Sequence, residues 1–128
     1  MFPEVWERVT GLIRPGVTAC FDDHAARCIR GQSYPALVPC RGALTEGIVY
    51  EDVTPGTIAR LDDFEGEFYR RASVIIVREG ARAVPACVYL AADPENPDIL
   101  SAAWSAARFK KDSLRSFLQH DPGFTGGR

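Results

Sequence analysis

The chain is short of the residues that metal and redox chemistry need. Its 128 residues include two histidines and four cysteines. The cysteines stand at 20, 28, 40 and 87 with no C-x-x-C pair, and His24 and His120 lie far apart. Zinc sites gather thiolates and imidazoles at close spacing, so no metal is expected. Disulfide scaffolds are smaller and secreted, which leaves four reduced thiols in a cytoplasmic protein, Cys28 and Cys87 facing a core. No apolar run approaches the ~20 residues that span a bilayer, so no membrane partner is expected. Charge recurs from Glu4 onward, unlike a secretory leader. The net charge is −2 and no basic run appears, so the footprint of a nucleic-acid binder is missing. There is no repeat, no low-complexity stretch, no G-x-G-x-x-G and no P-loop. Neither histidine has a neighbouring motif, so no Ser/His/Asp or Cys/His triplet can be assembled.

What remains is the composition of an ordinary globule. At 46% hydrophobic and 25% charged residues, the chain can bury a core without staples. A single domain over 1–121 and a flexible tail at 122–128 are expected. "PEVWERVTG" (3–11) reads as a helix, with Pro3 at its first position and Gly11 at its stop. "ARCIRG" (26–31) and "SYPALVP" (33–39) read as short extended pieces, and "LTEGIVY" (44–50) as a strand. "TPGTIARLDDFEG" (54–66) predicts a helix capped by Thr54, with Pro55 in its first turn, Gly66 ending it, and Ile58, Leu61 and Phe64 as its stripe. Two β-rich runs between 68 and 91 flank Glu79-Gly80, the look of a hairpin. The run Val74 to Val77 suggests a strand buried on both faces. "ADPENPD" (92–98) reads as a loop and 105–120 as one helix capped by Ser105. Strands in the middle and helices at the ends predict an α+β domain with a mostly antiparallel, barrel-like sheet.

The stretch "LDDFEGEFYRR" (61–71) sets Glu65 between Phe64 and Gly66, at the end of the second helix. The last carbonyls of a helix disfavour a carboxylate and attract a cation. Apolar neighbours add desolvation in the same direction. Both favour a group that accepts and returns a proton near neutrality, and such a site welcomes an ammonium ion. The alternative is a surface Glu65 paired with Arg70 or Arg71. Asp62, Asp63 and Glu67 are weaker candidates for that chemistry: Asp62 and Asp63 read more simply as a solvated helix face, and Glu67 as an exposed turn. Tyr69 is a candidate donor to a substrate carboxylate, or else packing with its hydroxyl in water. Arg70 is either an anion ligand or a strand-edge charge. Tyr34 reads most simply as a turn aromatic and Tyr89 as a half-buried strand residue.

The stretches 34–39, 45–71 and 84–91, in this order, resemble the gamma-glutamylcyclotransferase-like family, which includes the plant avirulence-induced-gene proteins. The run Leu-Asp-x-x-Glu-Gly-x-x-Tyr is the specific part. The resemblance implies a small mixed, mostly antiparallel β-barrel with peripheral helices. It implies a small-molecule gamma-glutamyl substrate, cyclised to 5-oxoproline with release of its amine. It gives Glu65 the role of general acid/base and makes Tyr69, Tyr34 and Tyr89 substrate-binding residues. No cofactor is implied, because the substrate's own amino group attacks its γ-carbonyl and the protein mainly holds a folded-back conformer. Family members open with a strand and a Tyr-Gly-Thr/Ser-Leu loop that cradles the glutamyl group, whereas this chain opens at "MFPEVWERV". Either Met1 is an internal methionine of a longer protein, or the chain is a poor cyclotransferase or a non-catalytic binding or interaction domain. An edge left by a lost strand would pair with another chain, so the expected state is monomer or homodimer.

Overall fold

The structure, a computed structural model, describes residues 1–78, 80 and 82–120. The tail expected at 122–128 lies outside the described residues, as does residue 79 of the hairpin loop.

The chain opens with α1 (Pro3–Thr10), where Pro3 starts the helix and Gly11, at φ 74°, closes it by donating to the Glu7 carbonyl. Two long strands follow, β1 (Gly16–Ile29) and β2 (Pro35–Tyr50). They pair antiparallel from Gly16 opposite Tyr50 to Cys28 opposite Pro35. The sequence suggests only short pieces here, because a β-bulge between Asp22 and His24 shifts the register and breaks the alternation. Asp23 sits in the left-handed region at φ 58°, and its Oδ1 accepts from the Gly42 amide at 2.9 Å. The prolines that looked like breaks are accommodated: Pro35 begins β2, and Pro39 pairs beside the bulge.

Helix α2 (Pro55–Glu65) forms as expected, with the Thr54 side chain accepting from the Thr57 amide. Leu61 is buried and Ile58 and Phe64 are partly covered, so this stripe holds the helix to the body at roughly 1.5–3 kcal/mol for a fully buried leucine. The hairpin of β3 (Tyr69–Arg78) and β4 (Arg82–Ala91) is in register from Tyr69 opposite Ala91 to Arg78 opposite Arg82. β3 is not buried on both faces. Ile76 is 7% exposed, but Ile75 is 63% and Val77 37% exposed, because the body covers the strand from one side only. Cys87 belongs to the open side and is exposed, and Cys28 is half-buried, so neither thiol sits deep in a core.

A short β5 (Ile99–Ala103) completes the sheet. The strand order is β2-β1-β3-β4, with β5 beside β1, and every pair is antiparallel. β1 changes partners along one edge. It meets β3 at Ala19 and Cys20, then β5 at Arg27 and Ile29. The expected α+β architecture with peripheral helices is therefore present, though the sheet stays open rather than closing fully. The expected last helix is divided into α3 (Ala106–Asp112), capped by Ser105, and α4 (Leu114–His120), with Ser113 between them at φ −130°.

Two apolar clusters hold these layers. Ile29, Ala36, Val38 and Ala91 join β1, β2 and β4, with Tyr34, Phe68 and Ile99 against them. Val5, Phe109 and Leu114 join the helices, flanked by Phe2, Phe64, Trp104 and Phe117 among others. No helix among the described residues is long and apolar enough to cross a membrane.

Candidate active site

Glu65 is the last residue of α2 and is half-buried. Gly66 follows at φ 72° and donates its amide to the Asp62 carbonyl at 3.0 Å, which closes the last turn. A left-handed backbone is cheap only for glycine, so the Glu-Gly order ends the helix while leaving the glutamate on it. Phe64 packs edge-on to Phe117, 6.2 Å between centroids. The aromatic neighbours of Glu65 thus serve the helix cluster and fix the end of α2.

One turn back along α2 stands Asp62, which the sequence assigned to a solvated face. It is partly exposed, yet it is an acceptor for two residues of the hairpin. The Tyr89 hydroxyl donates to its Oδ1 at 2.5 Å. Arg71 donates Nε to Oδ1 at 3.0 Å and Nη2 to Oδ2 at 3.4 Å. Arg71 and Tyr89 are direct cross-strand neighbours, so the hairpin register presents both to α2 together. The hydrogen bond from Tyr89, then that from Arg71, hold the Asp62 carboxyl below its ordinary range. Burial, followed by the hydrogen bond and charge of Asp62 and the charge of Glu65, pushes the Tyr89 phenol far above its ordinary value. Tyr89 therefore stays protonated at any physiological pH. Asp62 is only a weaker candidate in the sequence because its partners lie outside local reach; the fold brings them together.

The other expected site residues are placed as follows. Tyr69 starts β3 and donates its hydroxyl to the Pro35 carbonyl at 2.6 Å, tying β3 to the start of β2. Tyr34 packs against the Ile29 cluster and meets Phe117 edge-on at 6.1 Å. Glu65, Asp62, Tyr89 and Arg71 thus form one group, with Tyr69 and Tyr34 nearer the β2 entry. The Met1 nitrogen is influenced by Glu65 alone of this group: burial lowers its pKa and the Glu65 charge opposes that. Among the described residues, no three His, Cys, Asp or Glu side chains converge to hold a metal ion. The chemistry on offer is acid/base and hydrogen bonding.

A family profile described as "Gamma-glutamyl cyclotransferase, AIG2-like" matches residues 1–106. AIG2-like protein A of Arabidopsis thaliana is 28% identical over 92 residues, 71% of this chain and 55% of that protein. AIG2-like protein D of the same plant is 26% identical over 104 residues, 80% of this chain and 68% of that protein. The chain thus spans a little over half the length of one curated relative and about two thirds of the other. Two solution structures of Arabidopsis thaliana proteins share the fold. One has a TM-score of 0.73 at 20% identity, over 93% of this chain and 72% of the other. The second has a TM-score of 0.72 at 25% identity, over 92% and 79%.

Proposed function

This chain belongs to the gamma-glutamyl cyclotransferase, AIG2-like family, and from that premise we propose that it cyclises a gamma-glutamyl amine or dipeptide to 5-oxoproline. The observation that carries this reading is the position of Glu65, half-buried at the end of α2 with the Tyr89 hydroxyl inside its field. The reaction joins the substrate's α-nitrogen to its γ-carbonyl carbon and breaks the bond from that carbon to the leaving amine. Glu65 takes a proton from the α-ammonium, which frees the nitrogen to attack, and returns it to the departing nitrogen; the second proton, shed as the lactam N–H forms, passes the same way, so the amine leaves as an ammonium. Protons and bonds balance with no co-reactant. The substrate supplies its own nucleophile, so the protein's part is to hold the glutamyl group folded back and to carry protons from one nitrogen to the other. Tyr69, Tyr34 and Tyr89 line the approach in this reading.

The test is 5-oxoproline release from a panel of gamma-glutamyl amines and dipeptides. It compares this chain, a version extended upstream of Met1, and Glu65→Gln in whichever turns over. Positioned proton transfer contributes roughly 10²–10⁴-fold. Glu65→Gln should therefore lower kcat by about that factor with an unchanged melting curve. Turnover that survives the substitution removes Glu65 from its role. Silence of both versions on the whole panel turns the reading to a non-catalytic small-molecule-binding domain.

A further inference from the structure

A tyrosine hydroxyl has one proton to donate and lone pairs with which to accept. The Tyr89 proton is committed to Asp62 Oδ1 at 2.5 Å. An ionised carboxylate has no proton to give back, so the direction of this bond is fixed. Arg71 grips the same carboxylate through both oxygens and holds it in place. Toward any ligand, Tyr89 therefore presents lone pairs alone. Glu65, one turn further along α2, adds a second acceptor group whose charge reaches Tyr89. Two acceptors with a negative balance select a donor that carries positive charge.

We propose that Asp62 is a positioning residue that, through Tyr89, makes the Glu65 site selective for an ammonium over a hydroxyl at the substrate's α-carbon. This deepens the cyclotransferase reading and rests on it. The competing account treats the Asp62–Tyr89 bond as a tie between α2 and β4 and nothing more. A loosened tie weakens every ligand together. A changed polarity alters the preference between ligands.

The experiment measures dissociation constants for two ligands of one skeleton. The first is an uncleavable gamma-glutamyl analogue with a sulfonamide in place of the γ-amide, so that Glu65 stays in place. The second is the same compound with hydroxyl in place of the α-ammonium. The ratio is taken with Asp62 and Tyr89 intact, then with Asp62→Asn, Tyr89→Phe and both together, each checked by its melting curve. A directed bond to a charged group is worth about tenfold or more in affinity. The ammonium preference should therefore fall about tenfold in Asp62→Asn and in Tyr89→Phe, with no further fall in the double variant. An unchanged ratio in either single variant overturns the proposal. So does an equal fall from Asp62→Asn in the Tyr89→Phe background, since Asp62 would then act by charge alone. If Asp62→Asn fails to fold, the Tyr89→Phe ratio decides. Should the intact chain release 5-oxoproline while these ratios stay fixed, only this inference falls; if it neither turns over nor binds any gamma-glutamyl compound, the cyclotransferase reading falls with it.

Discussion

The rings of Trp6 and Tyr50 stack face to face, 4.1 Å between centroids and 7° between planes. Tyr50 also donates its hydroxyl to the Met1 carbonyl at 2.7 Å. The end of β2 thus grips α1 by ring face and by ring tip. Trp6 is 5% exposed, so little water competes for the contact. Trp6→Ala removes the stack and leaves a cavity, at a cost of about 3–5 kcal/mol. Urea unfolding with an unchanged slope and a lower midpoint would show it; a midpoint within error of the parent would mean that α1 contributes nothing to the fold.

The same contact gives stability an alkaline limb. Burial, then the charge of Glu4, pushes the Tyr50 phenol from 10.0 up to about 12. The folded chain holds this proton more tightly than the unfolded chain. The contribution is therefore complete below pH 10.0 and is lost as the pH rises toward about 12. Melting temperature should decline across that window in the parent and decline less steeply in Tyr50→Phe. Equal slopes would remove Tyr50 as the cause.

Tyr69→Phe separates a structural hydroxyl from a binding one. Its bond to the Pro35 carbonyl is short and partly buried. Loss of one such bond costs about 0.5–1.5 kcal/mol net. If the hydroxyl is committed to Pro35 throughout, the variant melts earlier while KM for a gamma-glutamyl amine holds. A KM raised about tenfold with no change in melting would instead place the hydroxyl on the substrate.

Gly16 is a point of close approach. A β-carbon there would overlap Cγ2 of Ile48 and crowd the Tyr50 ring. Gly16→Ala should destabilise by about 1–3 kcal/mol through overpacking. Gly16→Ala combined with Ile48→Ala should recover part of that loss, because the overlapping methyl is gone. No recovery would point to the backbone rather than the contact.

The legible parts of the chain were those with local causes. Thr54, Pro55 and Gly66 bound α2 by capping chemistry that acts within a few residues, and the β3–β4 hairpin follows from two β-rich runs about a glycine. The opening half of β1 was not legible. Residues 12–25 carry no clear local signal, and only pairing with β2 makes Asp22 and Asp23 a bulge within a long strand. The outer face of β3 misleads for a related reason: Ile75 and Val77 look like core, yet they stay 63% and 37% exposed. At the candidate site, Glu65 could be singled out from its place beside Gly66. Asp62 could not, since its significance lies in Tyr89 and Arg71, which reach it only across the fold.

β1 and β3 touch through two residue pairs, Ala19 with Arg78 and Cys20 with Val77, while each has a long partner of its own. The sheet therefore consists of two hairpins whose ladders meet at one short joint, backed by the Ile29 cluster and the Tyr69 bond to Pro35. Each hairpin closes a short loop and can form early, but the joint must wait for α2 and the whole of β2 to be gathered in. The joint is thus the last seam to close in folding and the first to open. Amide exchange across it should run ahead of exchange in the middle of either hairpin.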